Sequence, residues 1–178
     1  MDIILNNFQW MGWNVFLAII PLFLAILFTK ENRKWVGSLI FIIWLLFVPN
    51  TIYLITDLQH LPQQLISSDL ATSGILVFQY LILVFLGVYT YLAAMKPITR
   101  LIKNPETLIV PLNFFIAFGV AIGKVQRTDS WDVITHPIRV VSDVNSTLSS
   151  WQLMLFVIGF GILINFIWYF GRMLDDKK

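Results

Sequence analysis

Five apolar runs, each long enough to cross a lipid bilayer, constrain this chain more than any other feature of its sequence. They cover approximately residues 8–28, 35–55, 72–95, 107–123 and 151–171. A membrane-spanning α-helix needs about 20 mostly apolar residues, because it rises about 1.5 Å per residue across about 30 Å of hydrocarbon. The sequence therefore predicts an all-α, polytopic membrane helical bundle with five transmembrane helices in a single domain, residues 1–178.

The composition agrees with a membrane location and argues against other classes of protein. Hydrophobic residues make up 58% of the chain and charged residues 12%, whereas soluble domains average about 45–50% and about 25%. The net charge of +2 offers no basic face for nucleic acid. The chain has no cysteine, which excludes disulfides and thiolate chemistry. We predict membrane lipids as partners, no nucleic acid and no cofactor.

The distribution of lysine and arginine predicts the orientation in the membrane. Nine cationic residues fall in segments 29–34, 96–106 and 172–178, and the other three fall in segment 124–150. Cytoplasmic loops carry the excess of these residues. The N-terminus is therefore predicted to lie outside and the C-terminus in the cytoplasm.

A proline interrupts the second apolar run, in the stretch FVPNTIYLITDLQHL at residues 47–61. Pro49 has no backbone N–H, and its ring clashes with the carbonyl of Leu45. In lipid, that carbonyl must find a partner in the protein or in a wet cavity. The sequence therefore predicts a kink at Pro49.

Four polar residues follow this proline with helical spacing. At 100° per residue they fall within an arc of about 80°. These residues are Asn50, Tyr53, Asp57 and His60. A polar stripe that begins below the interface predicts a lined ligand site. In the alternative interpretation, Asp57, Gln59 and His60 cap a helix in solvent and Asn50 serves the interrupted backbone.

A second polar cluster lies at residues 123–137, on the side of the membrane predicted for Asp57. It contains Arg127, Asp129, Ser130, Asp132 and His136. Asp129 is predicted to cap a short helix that begins at Ser130, which would put Asp132 and His136 one turn apart.

The sequence also predicts an ion pair between the two clusters. A lone carboxylate near lipid is expensive to keep ionised, and a guanidinium can hold it with two parallel hydrogen bonds. We expect Arg127 to pair with Asp57, with Asn50 and Asp132 beside it. Two His and two carboxylates could instead bind a metal, but we predict no metal. The residues of that alternative are Asp57, His60, Asp132 and His136.

Two features of the fourth and fifth apolar runs predict helix packing. Asn113 and Asn165 each lie about 9–10 Å from the cytoplasmic end of their run, so they can hydrogen-bond across the two helices. Gly119 and Gly123 form a small-xxx-small face that allows close approach of another helix. That helix is either the fifth span or the same face of a second copy, which would make a homodimer.

The two polar stretches resemble the bacterial and archaeal membrane-protein family catalogued as domain of unknown function 1361. The first motif is carried by Pro49, Asn50, Tyr53, Thr56, Asp57, Leu58, His60 and Leu61, and the second by Gly123, Arg127, Ser130, Trp131 and Asp132. The chain departs from the family pattern at Lys124, where arginine is usual, and at Asp129, where asparagine is usual. The resemblance implies a small multi-pass protein of a prokaryotic plasma membrane and implies no activity.

Three classes of function remain open from the sequence. The first is a protein that binds or acts on a lipid headgroup or envelope substrate at the outer face. Its catalytic candidates are Asp57, His60 and Asp132, and its ligand-binding candidates are Asn50, Tyr53, Asp57, His60, Arg127, Ser130, Trp131 and Asp132. The second is an accessory or scaffold subunit, with a membrane-protein partner, whose polar cluster is structural. The third is a transporter component, for which five spans are few.

Overall fold

The structure, a computed structural model, describes residues 2–175, without the side chain of Asp2, and most of them are helical. The α-helices are α1 (Asp2–Lys30), α2 (Lys34–Phe47), α3 (Pro49–Thr56), α4 (Leu61–Ile66), α5 (Leu70–Thr99), α6 (Pro105–Ala121), α7 (Asp132–Thr135), α8 (Pro137–Ser149) and α9 (Trp151–Asp175). A 3₁₀ turn at Asp57–His60 joins α3 to α4, and a π-helical turn at Ile122–Gln126 follows α6. No strand occurs within residues 2–175.

Within the described residues, five helical segments are long and apolar enough to cross a membrane. They are Ile3–Lys30, Lys34–Ile66, Leu70–Thr99, Pro105–Gln126 and Trp151–Asp175. The prediction of an all-α protein with five spans is confirmed. The second segment runs past the predicted end at residue 55, so Asp57 lies within it. The predicted orientation rests in part on Lys177 and Lys178, which lie outside the described residues.

The chain packs as two compact units, Met1–Pro97 and Ile98–Lys178. In the first unit, α1 packs against α2 and α3. Gly87 of α5 meets α3 closely, because a Cβ there would lie 3.1 Å from Leu54 Cβ and 3.2 Å from the Thr51 carbonyl oxygen. This contact holds α3 in place, and with it the turn that carries Asp57. The single-domain organisation stays a prediction.

The second span is interrupted at Val48, directly before Pro49. Val48 keeps right-handed helical angles, and its N–H donates to the Trp44 carbonyl at 2.8 Å. Asn50 Nδ2 donates to the Phe47 carbonyl at 3.0 Å, and Thr51 Oγ1 donates to the Val48 carbonyl at 2.7 Å. Side chains therefore serve the backbone that the proline interrupts, as the alternative interpretation of Asn50 expects. The kink at Pro49 stays a prediction.

In the second unit, α6 packs against α9. Asn113 Nδ2 donates to Asn165 Oδ1 at 3.0 Å, which confirms the predicted hydrogen bond between the two spans. Asn165 Nδ2 also donates to the Gly161 carbonyl at 2.8 Å. The absence of a side chain at Gly161 leaves room for the ring of Phe114. Dimerisation through Gly119 and Gly123 stays a prediction.

The predicted orientation can be tested with single cysteines, because the chain has none of its own. We expect a membrane-impermeant maleimide to label cysteines at positions 65 and 146 in intact cells, since both lie on the predicted outer side. Positions 31 and 101 should be labelled only after the cells are opened. The reverse pattern would contradict the orientation.

Candidate functional site

The predicted stripe ends in a 3₁₀ turn that buries its carboxylate. Asp57 is only 2% exposed, and its Oδ2 accepts a hydrogen bond from Asn14 Nδ2 of α1 at 3.0 Å. Residues three apart eclipse in a 3₁₀ helix, so His60 stands above Asp57 along the axis, with its side chain exposed. The solvent-cap alternative is therefore wrong for Asp57.

Aromatic rings pack beside the turn that carries this carboxylate. The ring of Trp10 meets the ring of His60 edge-on, with 5.9 Å between centroids, and meets the ring of Tyr80 at 6.3 Å. The Tyr80 hydroxyl is fully buried and makes no hydrogen bond of standard geometry among the described residues. Gln64 and Asp57 are its polar neighbours. We call Trp10, Asn14, Asp57, His60 and Tyr80 the Asp57 cluster.

An amide network lies beside this cluster in the first unit. Asn7 and Gln64 exchange two hydrogen bonds, at 2.8 Å and 3.0 Å, and Trp10 Nε1 donates to Asn7 Oδ1 at 3.1 Å. Asn7 Nδ2 also donates to Gln79 Oε1 at 3.5 Å, and Gln79 Nε2 donates to the Ile4 carbonyl at 3.3 Å. We call Asn7, Gln64 and Gln79 the amide network. It ties α1 to α4 and α5 and so fixes the position of Trp10.

Sequence reasoning found only part of this site. Asp57 and His60 share the 3₁₀ turn, whereas Asn50 and Tyr53 lie earlier in the same span, on α3. Both of these are half-buried, and Asn50 donates to the Phe47 carbonyl. The residues that the sequence analysis missed are Asn7, Trp10, Asn14, Gln64, Gln79 and Tyr80. One signal was available, because Asn7 and Asn14 lie seven residues apart and so share a face of the first span.

The second polar cluster, in the second unit, is organised around Asp132, which is 5% exposed. Its Oδ2 accepts the backbone N–H of Asp129 at 2.8 Å, and its Oδ1 lies 3.1 Å from His136 Nδ1. The predicted spacing of Asp132 and His136 by one turn is therefore confirmed. The prediction that Asp129 caps a helix starting at Ser130 is wrong, because α7 begins at Asp132 and its cap carries no side-chain hydrogen bond.

The pKa values of the two carboxyl groups in this cluster, Asp129 and Asp132, are shifted in opposite directions. The Asp129 backbone N–H lowers the pKa of Asp132 against the effect of burial, and His136 lowers it further. Partial burial and the nearby Asp132 charge raise the pKa of Asp129. Asp132 is therefore the more acidic of the two. Its hydrogen bonds contribute stability above the ordinary pKa of an aspartate, and this contribution is lost as the pH falls through the lowered value.

Arg127 ends the π-helical turn in a left-handed conformation, with φ of 54°. Arg139 holds this backbone, since its Nη2 donates to the carbonyls of Gln126 at 3.1 Å and Arg127 at 3.4 Å. The side chain of Arg127 is exposed, Ser130 is half-buried and Trp131 is exposed. The pairing of Arg127 with Asp57 stays a prediction.

Within residues 2–175, His, Asp and Glu side chains form no group of three or more that could hold a metal ion.

The model of a family described as "Protein of unknown function (DUF1361)" matches residues 13–167. The chain belongs to the DUF1361 family. The match includes both polar clusters, 47–61 and 123–137, whereas Asn7 and Trp10 lie before its first residue. No curated protein and no solved structure matches the chain.

Proposed function

We propose that this DUF1361 protein binds the polar headgroup of a lipid, or a related envelope substrate, at the outer face of a prokaryotic plasma membrane. The observation that carries the proposal is the buried Asp57 carboxylate near a buried Tyr80 hydroxyl, which has Gln64 as a polar neighbour but makes no hydrogen bond of standard geometry among the described residues. Ionisable groups at membrane depth are functional candidates by default. Buried polar groups are nearly always hydrogen-bonded, so this hydroxyl marks a position for an atom of a ligand.

The chemistry of the Asp57 cluster suits a headgroup that donates hydrogen bonds. A carboxylate only accepts, so it pairs with a hydroxyl or an ammonium group of the ligand, while the Tyr80 hydroxyl either donates or accepts. The Trp10 ring offers an aromatic face to a sugar or an amine. Arg127, in the second polar cluster, is a separate ligand-binding candidate, and its exposed guanidinium is suited to a phosphate. Acid–base chemistry by Asp57, His60 or Asp132 would be a further step beyond binding.

The amide network supports a second candidate function, that of an accessory subunit with a structural polar cluster. Asn7 is buried and bonded to both Gln64 and Trp10, so this part of the molecule needs no ligand to satisfy it. Tyr80 distinguishes the two candidates. In a structural cluster, removal of the hydroxyl breaks no hydrogen bond of standard geometry among the described residues, whereas in a binding site it removes a contact to the ligand.

Thermal unfolding in detergent with single lipid classes tests the proposal. A ligand that binds only the folded state raises the unfolding midpoint in proportion to the logarithm of its concentration over Kd. We expect one headgroup class to stabilise the wild-type chain. Tyr80→Phe should raise the apparent Kd at least about tenfold, the factor expected for about 1.4 kcal/mol of lost interaction, without lowering the midpoint of the lipid-free protein.

Asp69→Asn serves as the matched control. Asp69 is an exposed carboxylate whose Oδ1 accepts the Thr72 N–H at 2.7 Å, and asparagine keeps this acceptor while removing the charge. We expect this variant to bind as the wild type does. Equal affinity of the wild type and Tyr80→Phe for every headgroup class would refute the proposal and favour the accessory subunit.

A further inference from the structure

The helix α8 carries an apolar face that none of the described residues, 2–175, covers. Ile138 is 87% exposed, Val141 61% and Leu148 54%. At 100° per residue these three side chains fall within an arc of about 80°. They lie on one side of the helix, with the exposed Asn145 between Val141 and Leu148, and we call these three apolar residues the α8 stripe.

The other side of α8 is fixed against the second unit. Thr147 is fully buried there. Asp143 Oδ2 accepts a hydrogen bond from Thr128 Oγ1 at 2.7 Å, and Arg139 donates to the Gln126 carbonyl. These contacts set the rotation of α8 about its own axis. These contacts therefore fix the α8 stripe on the side of the helix that faces away from the second unit.

The α8 stripe continues into a membrane-spanning helix. Ser150 alone separates the end of α8 from Trp151, the first residue of α9. Trp151 is 69% exposed, and tryptophan favours the headgroup level of a bilayer. Because of this short connection, the end of α8 must lie at the level where α9 enters the membrane.

We propose that α8 lies in the plane of the membrane surface, with the α8 stripe inserted at the boundary between headgroups and acyl chains. Surface-lying helices of this kind bury an apolar face to a depth of about 5–10 Å. The α8 stripe is thus covered by the lipid of the membrane that the five spans cross. This proposal does not depend on headgroup binding at the Asp57 cluster.

The charge of α8 indicates what drives the insertion. Arg139 and Asp143 are the only charged residues in Pro137–Ser149, and they lie 3.6 Å apart as an ion pair. The remaining polar residues of the helix are serine, threonine and asparagine. Apolar area, rather than attraction to anionic lipids, therefore holds α8 at the surface. We expect the same depth in neutral and in anionic bilayers.

Nitroxide labels on single cysteines test this inference. The labels are placed at positions 138, 141 and 148, and at Ser146 as the matched control. Ser146 is exposed on the same helix, about 120° away from the middle of the stripe. Collision rates with oxygen, which concentrates in lipid, and with a nickel chelate, which stays in water, are measured in vesicles of phosphatidylcholine with and without phosphatidylglycerol.

We expect the three stripe positions to show a several-fold higher ratio of oxygen to nickel collisions than Ser146, equally in both types of vesicle. Each labelled variant must keep the unfolding midpoint of the unlabelled chain. Three outcomes would overturn the inference. These are nickel access equal to that of Ser146, protection from both reagents, which indicates a protein partner, and spin–spin broadening, which indicates a second copy.

Discussion

Replacing Gly161 with alanine is expected to lower the free energy of unfolding by about 1–3 kcal/mol, the range for overpacking a filled contact. A Cβ at Gly161 would lie 2.7 Å from Phe114 Cε1 and even closer to Cδ1. Either the ring leaves its position or α6 and α9 separate. Separation of the helices would also stretch the Asn113–Asn165 hydrogen bond of 3.0 Å.

Gly159→Ala is the matched control, two residues away on the same helix. No heavy atom lies within 4 Å of a Cβ built at Gly159. Alanine there should stabilise the protein by about 0.5–1 kcal/mol, because glycine is the poorer helix former. Unfolding in mixed detergent micelles, followed by circular dichroism, measures both variants. Equal effects of the two substitutions would contradict the observed packing of α6 on α9.

Asp57→Ala is expected to lower the free energy of unfolding by about 1–3 kcal/mol, because it leaves the Asn14 amide without its acceptor. The carboxylate is buried, and the distance from Asn14 Nδ2 is 3.0 Å. In a double-mutant cycle with Asn14→Ala, the coupling should be about 1.5–3 kcal/mol, as for hydrogen bonds to charged groups.

Gln9→Ala provides the control for this cycle. Gln9 lies on α1, as Asn14 does, but its side chain is exposed. Because this side chain is exposed, its effect should add to that of Asp57→Ala within about 0.5 kcal/mol, as for residues that do not contact each other. A coupling near zero between Asn14 and Asp57 would show that the buried hydrogen bond contributes nothing.

The sequence predicted the depth of residues in the membrane better than it predicted which residues lie side by side on neighbouring helices. Equal depth of Asn113 and Asn165 follows from the fixed rise of a helix, and their hydrogen bond is observed. Lateral neighbours depend on how whole apolar faces pack, which no single span encodes. For this reason the sequence singled out Asp57 but missed its partner Asn14 and the nearby Tyr80.

Local chemistry was also ambiguous around Asp129 and Asp132. Near the start of a helix, a carboxylate can reach forward to a later N–H or back to an earlier one, as in the two halves of a capping box. Asp132 reaches back to the N–H of Asp129. Residue types and spacing are the same for both arrangements, so only the backbone conformation decides between them. The left-handed Arg127, just before this segment, was likewise not marked by a glycine.

Binding of a lipid headgroup by the Asp57 cluster is tested most directly by native mass spectrometry of the protein released from lipid nanodiscs. The wild-type chain should retain one lipid of a single headgroup class per protein, and Tyr80→Phe should lose it while remaining folded. An equal complement of lipids on the wild type and on Tyr80→Phe, or no retained lipid on either, would contradict the proposed function.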